Sequence, residues 1–309
     1  MKKLVVIIMT VFLMSFLLIA LHIKPVSSSD SMDKNEKGEY KRSSVYIYRN
    51  TAAWDLAIAV KKQDSSKIEK LAKNNPELLN VRDPKYGIAL LLWAIGTEKY
   101  ESAEVLLKCG ANPNLATLRG ETPIYIAAGY SWVDREAKKD PKYVKLLLSY
   151  GADPNLNYIH GDENDNTTDE GTSPLMNSIG CGIEKTKALV EGGADLNYKT
   201  PSGKSAAIYS LSMGGPNRTV EGMEYAKYLI VDKKANISEA LSSSGWYPGN
   251  ILRRWTYKLN SEQYKVKMEI VQECERQGIH YWDYPISKDT IQMAKRVYSE
   301  TWEEYLQKY

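Results

Sequence analysis

Between Tyr158 and Ser173 the chain reads "YIHGDENDNTTDEGTS", with five carboxylates (Asp162, Glu163, Asp165, Asp169 and Glu170) and neither Lys nor Arg. Clustered carboxylates have two chemical uses: as hard oxygen ligands for Ca²⁺, or as an acidic finger reaching a basic surface on a protein partner. A helix–loop–helix calcium site beginning at Asp162 needs Gly at its sixth position and Glu at its twelfth. Those places hold Thr167 and Ser173, so that pattern fails. Like charge gathered in one loop speeds encounter and discourages wrong partners more than it adds affinity. A solvated insertion that only stays soluble is the third reading, and composition does not choose among the three.

Other reactive side chains are sparse. Beyond residue 23 only His160 and His280 remain, and they lie far apart; His280, in "GIHYWDYP", reads as a capping or loop residue. Cys109, Cys181 and Cys274 are dispersed and odd in number, which suits buried or free thiols better than a disulfide framework or a zinc site. No Gly-x-Ser-x-Gly, phosphate loop or His-Glu-x-x-His occurs. The expectation is a chain without catalysis, metal, cofactor or small-molecule substrate. A net charge of +3 gives no global argument for nucleic acid.

The elements that must position these residues announce themselves by repetition. "GANPNL" at Gly110 returns as "GADPNL" at Gly151, "GADLNY" at Gly193 and a worn "KANIS" at Lys234, in steps of 41, 42 and 41 residues. Ahead of the second copy, "RGETPIYIAAGY" from Arg119 and "YVKLLLSYGADPN" from Tyr143 look like two helices. Thr122-Pro123 starts the first, Ala127 and Ala128 let a neighbour approach closely, Leu146 and Leu147 fill the interlayer, and Gly151 ends the second. The pattern resembles the ankyrin repeat, G-x-T-P-L-H-x-A-A followed by V-x-x-L-L-x-x-G-A-D-x-N over about 33 residues. Tyr86–Asn114 fits without a gap, Thr51–Asn80 resembles an amino-terminal repeat, and Tyr264–Gly278 the second helix of a sixth, degenerate one. The surplus over the family period falls at "SWVDREAKKDP", at "MGGPNRTVEG" and in the acidic finger at 159–169.

The resemblance implies an all-α ankyrin-repeat solenoid of about five to six helix-turn-helix repeats with finger loops. The expected division is a membrane or signal segment at 1–24, a flexible polar linker at 25–45, repeats at 46–240, and a degenerate repeat with a C-terminal helical cap at 241–309. The family's helix His is replaced by Leu92, Tyr125, Met176 and Ile208, which suggests looser or differently packed fingers. The resemblance also implies a protein partner on a concave face. The position before the Ala-Ala pair, often groove-facing in this family, holds Ile58, Trp93, Ile126, Asn177 and Tyr209. Trp93 and Tyr209, with Tyr130 and Trp132 from the first insertion and Tyr158 at the base of the acidic finger, are the candidate aromatic anchors; the five acids form their rim. Packing between repeats is the competing account of Trp93 and Ile126.

Residues Leu4 to Ile23 contain no Asp, Glu, Lys or Arg, and twenty helical residues span roughly 30 Å, the thickness of a bilayer's hydrocarbon. Lys2 and Lys3 ahead of them favour a cytoplasmic N-terminus. The body is therefore expected to face the periplasm from an inner-membrane anchor, or to be secreted there if the segment is cleaved near Ser28. The functional expectation is an exported interaction module, an immunity protein that neutralises a secreted toxin such as a lipase. A non-inhibitory adaptor for an envelope protein and a glycan or lipid binder are the alternatives.

Overall fold

A hydroxyl caps the first helix of several successive pairs. Thr122, Ser173 and Ser205 each accept from the backbone N–H three residues on, at 3.2, 3.1 and 3.3 Å, and Pro123 and Pro174 occupy a first-turn position where no N–H is needed. The second helices end on glycine in the left-handed region. Gly110, Gly151 and Gly193 have φ of 97°, 81° and 92°, and the Ala after each donates back to the helix at 3.0 Å (Ala111 to Leu106, Ala152 to Leu147, Ala194 to Leu189). Without a Cβ these residues turn the chain at no steric cost.

The computed structural model describes residues 33–158, 170–214, 220–238 and 247–309. The helix pairs are α1 (Trp54–Lys62) with α2 (Ser65–Asn74), α3 (Leu90–Gly96) with α4 (Tyr100–Lys108), and α5 (Pro123–Ala128) with α6 (Lys142–Ser149). They continue as α7 (Pro174–Ser178) with α8 (Ile183–Glu191), α9 (Ala206–Met213) with α10 (Val220–Ala226), and α11 (Pro248–Leu252) with α12 (Glu262–Arg276). First helices pack on first helices from α1 to α11, so one apolar core runs through the stack. Helices α13 (Lys288–Tyr298) and α14 (Trp302–Lys308) close the end around a separate small cluster of Ala294, Tyr305 and Tyr309. Among the described residues there are isolated bridges but no strand.

The finger loops are tied together by asparagine. Asn114 Nδ2 donates to Gly151 O at 3.1 Å while its Oδ1 accepts from Asp153 N at 2.8 Å. Asn155 repeats the pair with Gly193 O and Asp195 N at 3.0 and 2.7 Å, and Asn197 accepts from Asn236 N at 2.8 Å. The expected looseness is therefore absent at these rungs. The worn copy behaves differently: Lys234 takes the glycine's place at φ 58°, and α10 runs on into a π-helical turn, Lys227–Asp232.

The expected linker also departs from its reading. From residue 33 to residue 45 the chain lies against the repeats rather than free: Lys85 pairs with Glu39 at 2.6 Å, Tyr86 donates to Tyr40 O at 2.9 Å, and Arg42 pairs with Glu121 at 2.9 Å. Polar side chains that look solvated in sequence have found partners in the finger loops. Among the described residues no helix is long and apolar enough to cross a membrane. The segment Leu4–Ile23 lies outside them.

Candidate functional site

The first insertion, between α5 and α6, folds back over the ends of α3 and α5. Tyr130 bridges Ala137, Ser131 N donates to Glu136 O at 3.0 Å, and Arg135 N to Ser131 O at 3.1 Å, so the loop is a hairpin with its own hydrogen bonds. Trp132 anchors it. Its backbone N–H donates to Gly96 O at 3.0 Å, and its ring sits so close to Gly96 that a Cβ there would meet it at 2.4 Å. The Arg42 guanidinium lies 4.2 Å from the centre of the same ring. Glu98 receives the Ser131 hydroxyl and lies 3.8 Å from Lys138, which also pairs with Asp134.

This folding leaves a cleft of about 240 Å³ between the hairpin, α3, α5 and the start of α6, with Lys185 of α8 in its wall. Ile95 and Ile126 contribute its apolar floor, and Tyr130, Asp140 and Tyr143 stand around them. Tyr143 meets Tyr100 edge-on at 5.3 Å. Burial raises the Tyr143 phenol, with Glu98 and Glu101 adding to it, so it stays neutral. Tyr130 is 56% exposed and Val133, at the hairpin tip, 63%. Cys181 is the largest influence raising the Tyr130 phenol and hydrogen-bonds with it, and Tyr209 acts in the same direction from nearby.

Lys185 was not singled out from sequence. It is 3% exposed, and its Nζ donates to Gly129 O at 3.1 Å and to Ala128 O at 3.5 Å, capping α5. Burial lowers its proton affinity, opposed by Cys181 and Asp140. The signal was legible: Lys185, Ala188 and Leu189 lie at i, i+3 and i+4 on the buried stripe of α8, where the pattern asks for an apolar residue.

The candidate anchors separate into two groups. Tyr130 lines the cleft, Trp132 packs on Gly96 in its wall, and Tyr209 lies near Tyr130, the last two half-buried. Trp93 and Tyr158 do not serve as exposed anchors. Helix α3 is buried on every face, Leu90 to Gly96, because α1 and α5 cover it from both sides, and Trp93 is 2% exposed. Tyr158 stacks on Tyr125 at 5.6 Å inside the core. Ile126 belongs to the cleft floor, and Asn177 turns its amide to Tyr125 O at 2.8 Å. Glu170 is exposed, while Asp162, Glu163, Asp165 and Asp169 lie outside the described residues, as do His160 and any calcium they would hold. Among the described residues no group of three or more His, Cys, Asp or Glu is arranged to hold a metal. All three cysteines are free.

A stack of helix pairs with finger loops on one edge and an insertion-built cleft defines a class: a helical repeat scaffold. The comparisons make the class specific. Residues 56–158 match the sequence model of ankyrin repeats in three copies, so this stretch of the chain carries ankyrin repeats. It is 29% identical over 172 residues to an ankyrin repeat protein of Fowlpox virus (strain NVSL), covering 55% of this chain and 42% of that one. It is 30% identical over 110 residues to an ankyrin repeat protein of Rickettsia bellii (strain RML369-C), covering 34% of this chain and 64% of the other. The chain thus spans less than two thirds of either relative. The crystal structure of the ankyrin repeat protein EF0377 superposes with a TM-score of 0.52 at 19% identity, over 74% of this chain and 99% of that one, a likeness of fold. Ankyrin repeats are protein-interaction modules, typically without catalysis of their own.

Proposed function

We propose that this protein docks a protein partner at the cleft between the first insertion and helices α3, α5 and α6, on the periplasmic side of a bacterial inner membrane to which residues 4–23 tether it. The observation that carries the docking site is the pinned hairpin: Trp132, Gly96 and Arg42 hold a loop in place while Tyr130 and Val133 stay exposed at its rim. A preorganised rim with exposed aromatic and aliphatic groups loses little entropy on binding. The anchor reading is supported by the uncharged run Leu4–Ile23 behind two lysines. The five acids from Asp162 to Glu170 would face a basic surface of the same partner. In this reading the protein is an immunity factor that occludes a secreted toxin such as a lipase.

The test is capture from envelope extract by the full-length protein, beside a Tyr130→Ala, Val133→Asp double variant. Loss of one specific protein with the double variant supports the cleft; equal capture by both removes it. Deleting the protein then separates an immunity factor from a non-inhibitory adaptor. An immunity factor is needed only when its toxin is present.

A further inference from the structure

The cleft contains a cation that its surroundings do not neutralise. Two carbonyls, Gly129 O and Ala128 O, occupy two of the three donors on Lys185 Nζ, and the bond to Ala128 O is long at 3.5 Å. Cys181 and Asp140 reach it only through space, and Glu98 is committed to Ser131 and Lys138. Of the other two lysines that line the cleft, Lys138 pairs with Asp134, and Lys142 lies over the rings of Tyr100 and Tyr143 at 5.2 and 5.7 Å. A buried ammonium without a carboxylate is costly, and the same low dielectric makes an arriving anion bind it strongly. The cleft's volume of about 240 Å³ admits one long or aromatic side chain, with Ile95 and Ile126 as its floor.

We propose that this cleft is the socket for an acidic side chain of the docking partner, its stem lying on Ile126 and Tyr143 and its carboxylate on Lys185 Nζ. The inference rests on the cleft being the docking site. An apolar side chain would cover the ammonium without pairing it. A basic one would face Lys142 and Lys185 together. A carboxylate gives Lys185 the ion pair that the neutral carbonyls cannot supply. It also strengthens the hold on the proton of an amine whose burial weakens it.

The probe is phenylacetate, with phenylacetamide and phenethylamine as neutral and cationic controls, titrated into the full chain with methyl-labelled isoleucine. Shifts of the Ile95 and Ile126 methyls should saturate with phenylacetate at concentrations at least about tenfold below those phenylacetamide needs, and phenethylamine should leave them in place. Lys185→Met should bring the acid down to the level of the amide. Should that variant unfold, Asp140→Asn, an exposed change at the rim, should tighten the acid several-fold and leave the amide alone. Equal shifts with acid and amide, or no change with Asp140→Asn, overturn the inference while the cleft remains a docking site. If none of the three probes moves Ile95 or Ile126, the acid socket and the cleft's role in docking fall together.

Discussion

Lys185 and Lys267 occupy the same kind of position in two parts of the molecule that solve burial differently. Both replace an apolar residue on the buried stripe of a pair's second helix, α8 and α12. In the consensus repeats, polar groups meet backbone: Lys185 caps α5 through Gly129 O, and each asparagine rung satisfies a carbonyl and an N–H of the next finger. In the closing region the consensus has eroded and tyrosines take over. Tyr281 donates to Tyr309 O at 3.0 Å, Tyr309 to Arg253 O at 2.7 Å, and Tyr305 to Tyr257 O at 3.0 Å. Lys267 lies among these rings, 4.1 Å from the Tyr309 centroid and 5.2 Å from that of Tyr281, with no hydrogen-bond partner on Nζ. Arg253 sits against the same two rings at 5.6 and 4.1 Å, its Nε and Nη1 also unpaired. When the Lys267 amine is protonated, two like charges share one aromatic cage, with ring quadrupoles in place of carboxylates.

The strongest way to break the comparison is to make the same substitution in both places. Burial first, and then Arg253, pull the Lys267 amine down to about 6. At about 1.4 kcal/mol per pKa unit, a fall from 10.5 to about 6 bounds the cost of burying it at about 6 kcal/mol below pH 6. Between pH 6 and 10.5 the unfolded chain binds more protons than the folded one, so stability rises with pH through that window; below pH 6 both states are protonated and the cost is complete. Lys267→Met removes it and should stabilise the closing region by about 2–3 kcal/mol at pH 6, less as pH rises, once relaxation and water are allowed for. Denaturant melts at several pH values read this directly, and a wild-type curve no steeper in pH than the variant's would sink the account.

Lys185→Met should have the opposite sign. It leaves Gly129 O and Ala128 O buried without their donor, which costs about 1–3 kcal/mol, partly offset by removing a desolvated charge. A net loss of about 1 kcal/mol in the same melts is the expected result. Stabilisation by both variants would mean that the carbonyl bonds of Lys185 contribute nothing, and that the two regions do not differ in this respect.

A third change tests what holds the cleft. Gly96→Ala places a Cβ 2.4 Å from the Trp132 ring, backed by packed core, so the ring must leave. The global effect should be modest, about 1 kcal/mol, because the hairpin is peripheral. The local effect should be large: trypsin should cleave after Arg135 far faster than in the wild type, with the rest of the chain resistant. Unchanged cleavage would show that the hairpin's own bonds, not Trp132, fix it.

The sequence carried the repeat well and the site only in part, for physical reasons. Thr-Pro starts and Gly-Ala stops are local devices, so Thr122-Pro123 and Gly151 announced α5 and the end of α6 without tertiary help. Position 93 stayed open between groove and packing because exposure there depends on what covers α3, which is set by α1 and α5 and not by local pattern. The docking of residues 33–45 was equally invisible: Arg42 finds Glu121, 79 positions further along the chain. The sixth pair was half visible. Its second helix showed a helical period and ended on Gly278, but α11 opens on Pro248 with no hydroxyl cap. Lys185 and Lys267 were legible as charges on apolar stripes, though not which of them would find a partner.

The smallest expected effect compares the rungs themselves. Asn155→Ala deletes two exposed bonds, to Gly193 O and from Asp195 N, and should cost about 1 kcal/mol. Gln277 imitates that rung at the junction with the degenerate pair, accepting from Ile237 N at 2.9 Å and donating to Ala235 O at 3.1 Å. It differs in being held by its neighbours: Glu273, at 3.3 Å from its amide, also pairs with Lys234 and Arg276 at 2.7 Å each. These pairs pull the Glu273 carboxyl below its ordinary range. Because neighbouring repeats are coupled through their interfaces, a weakened rung should show where cooperativity breaks. Gln277→Ala should therefore uncouple the end of the stack, so that amide exchange speeds in α11–α14 while α1–α8 keep their protection. Asn155→Ala, set between two well-packed pairs, should lower the midpoint of one shared transition. If both variants melt as one unit with equal loss, the tyrosine-held region is as firmly joined as the asparagine-held one, and the distinction between them is confined to their buried lysines.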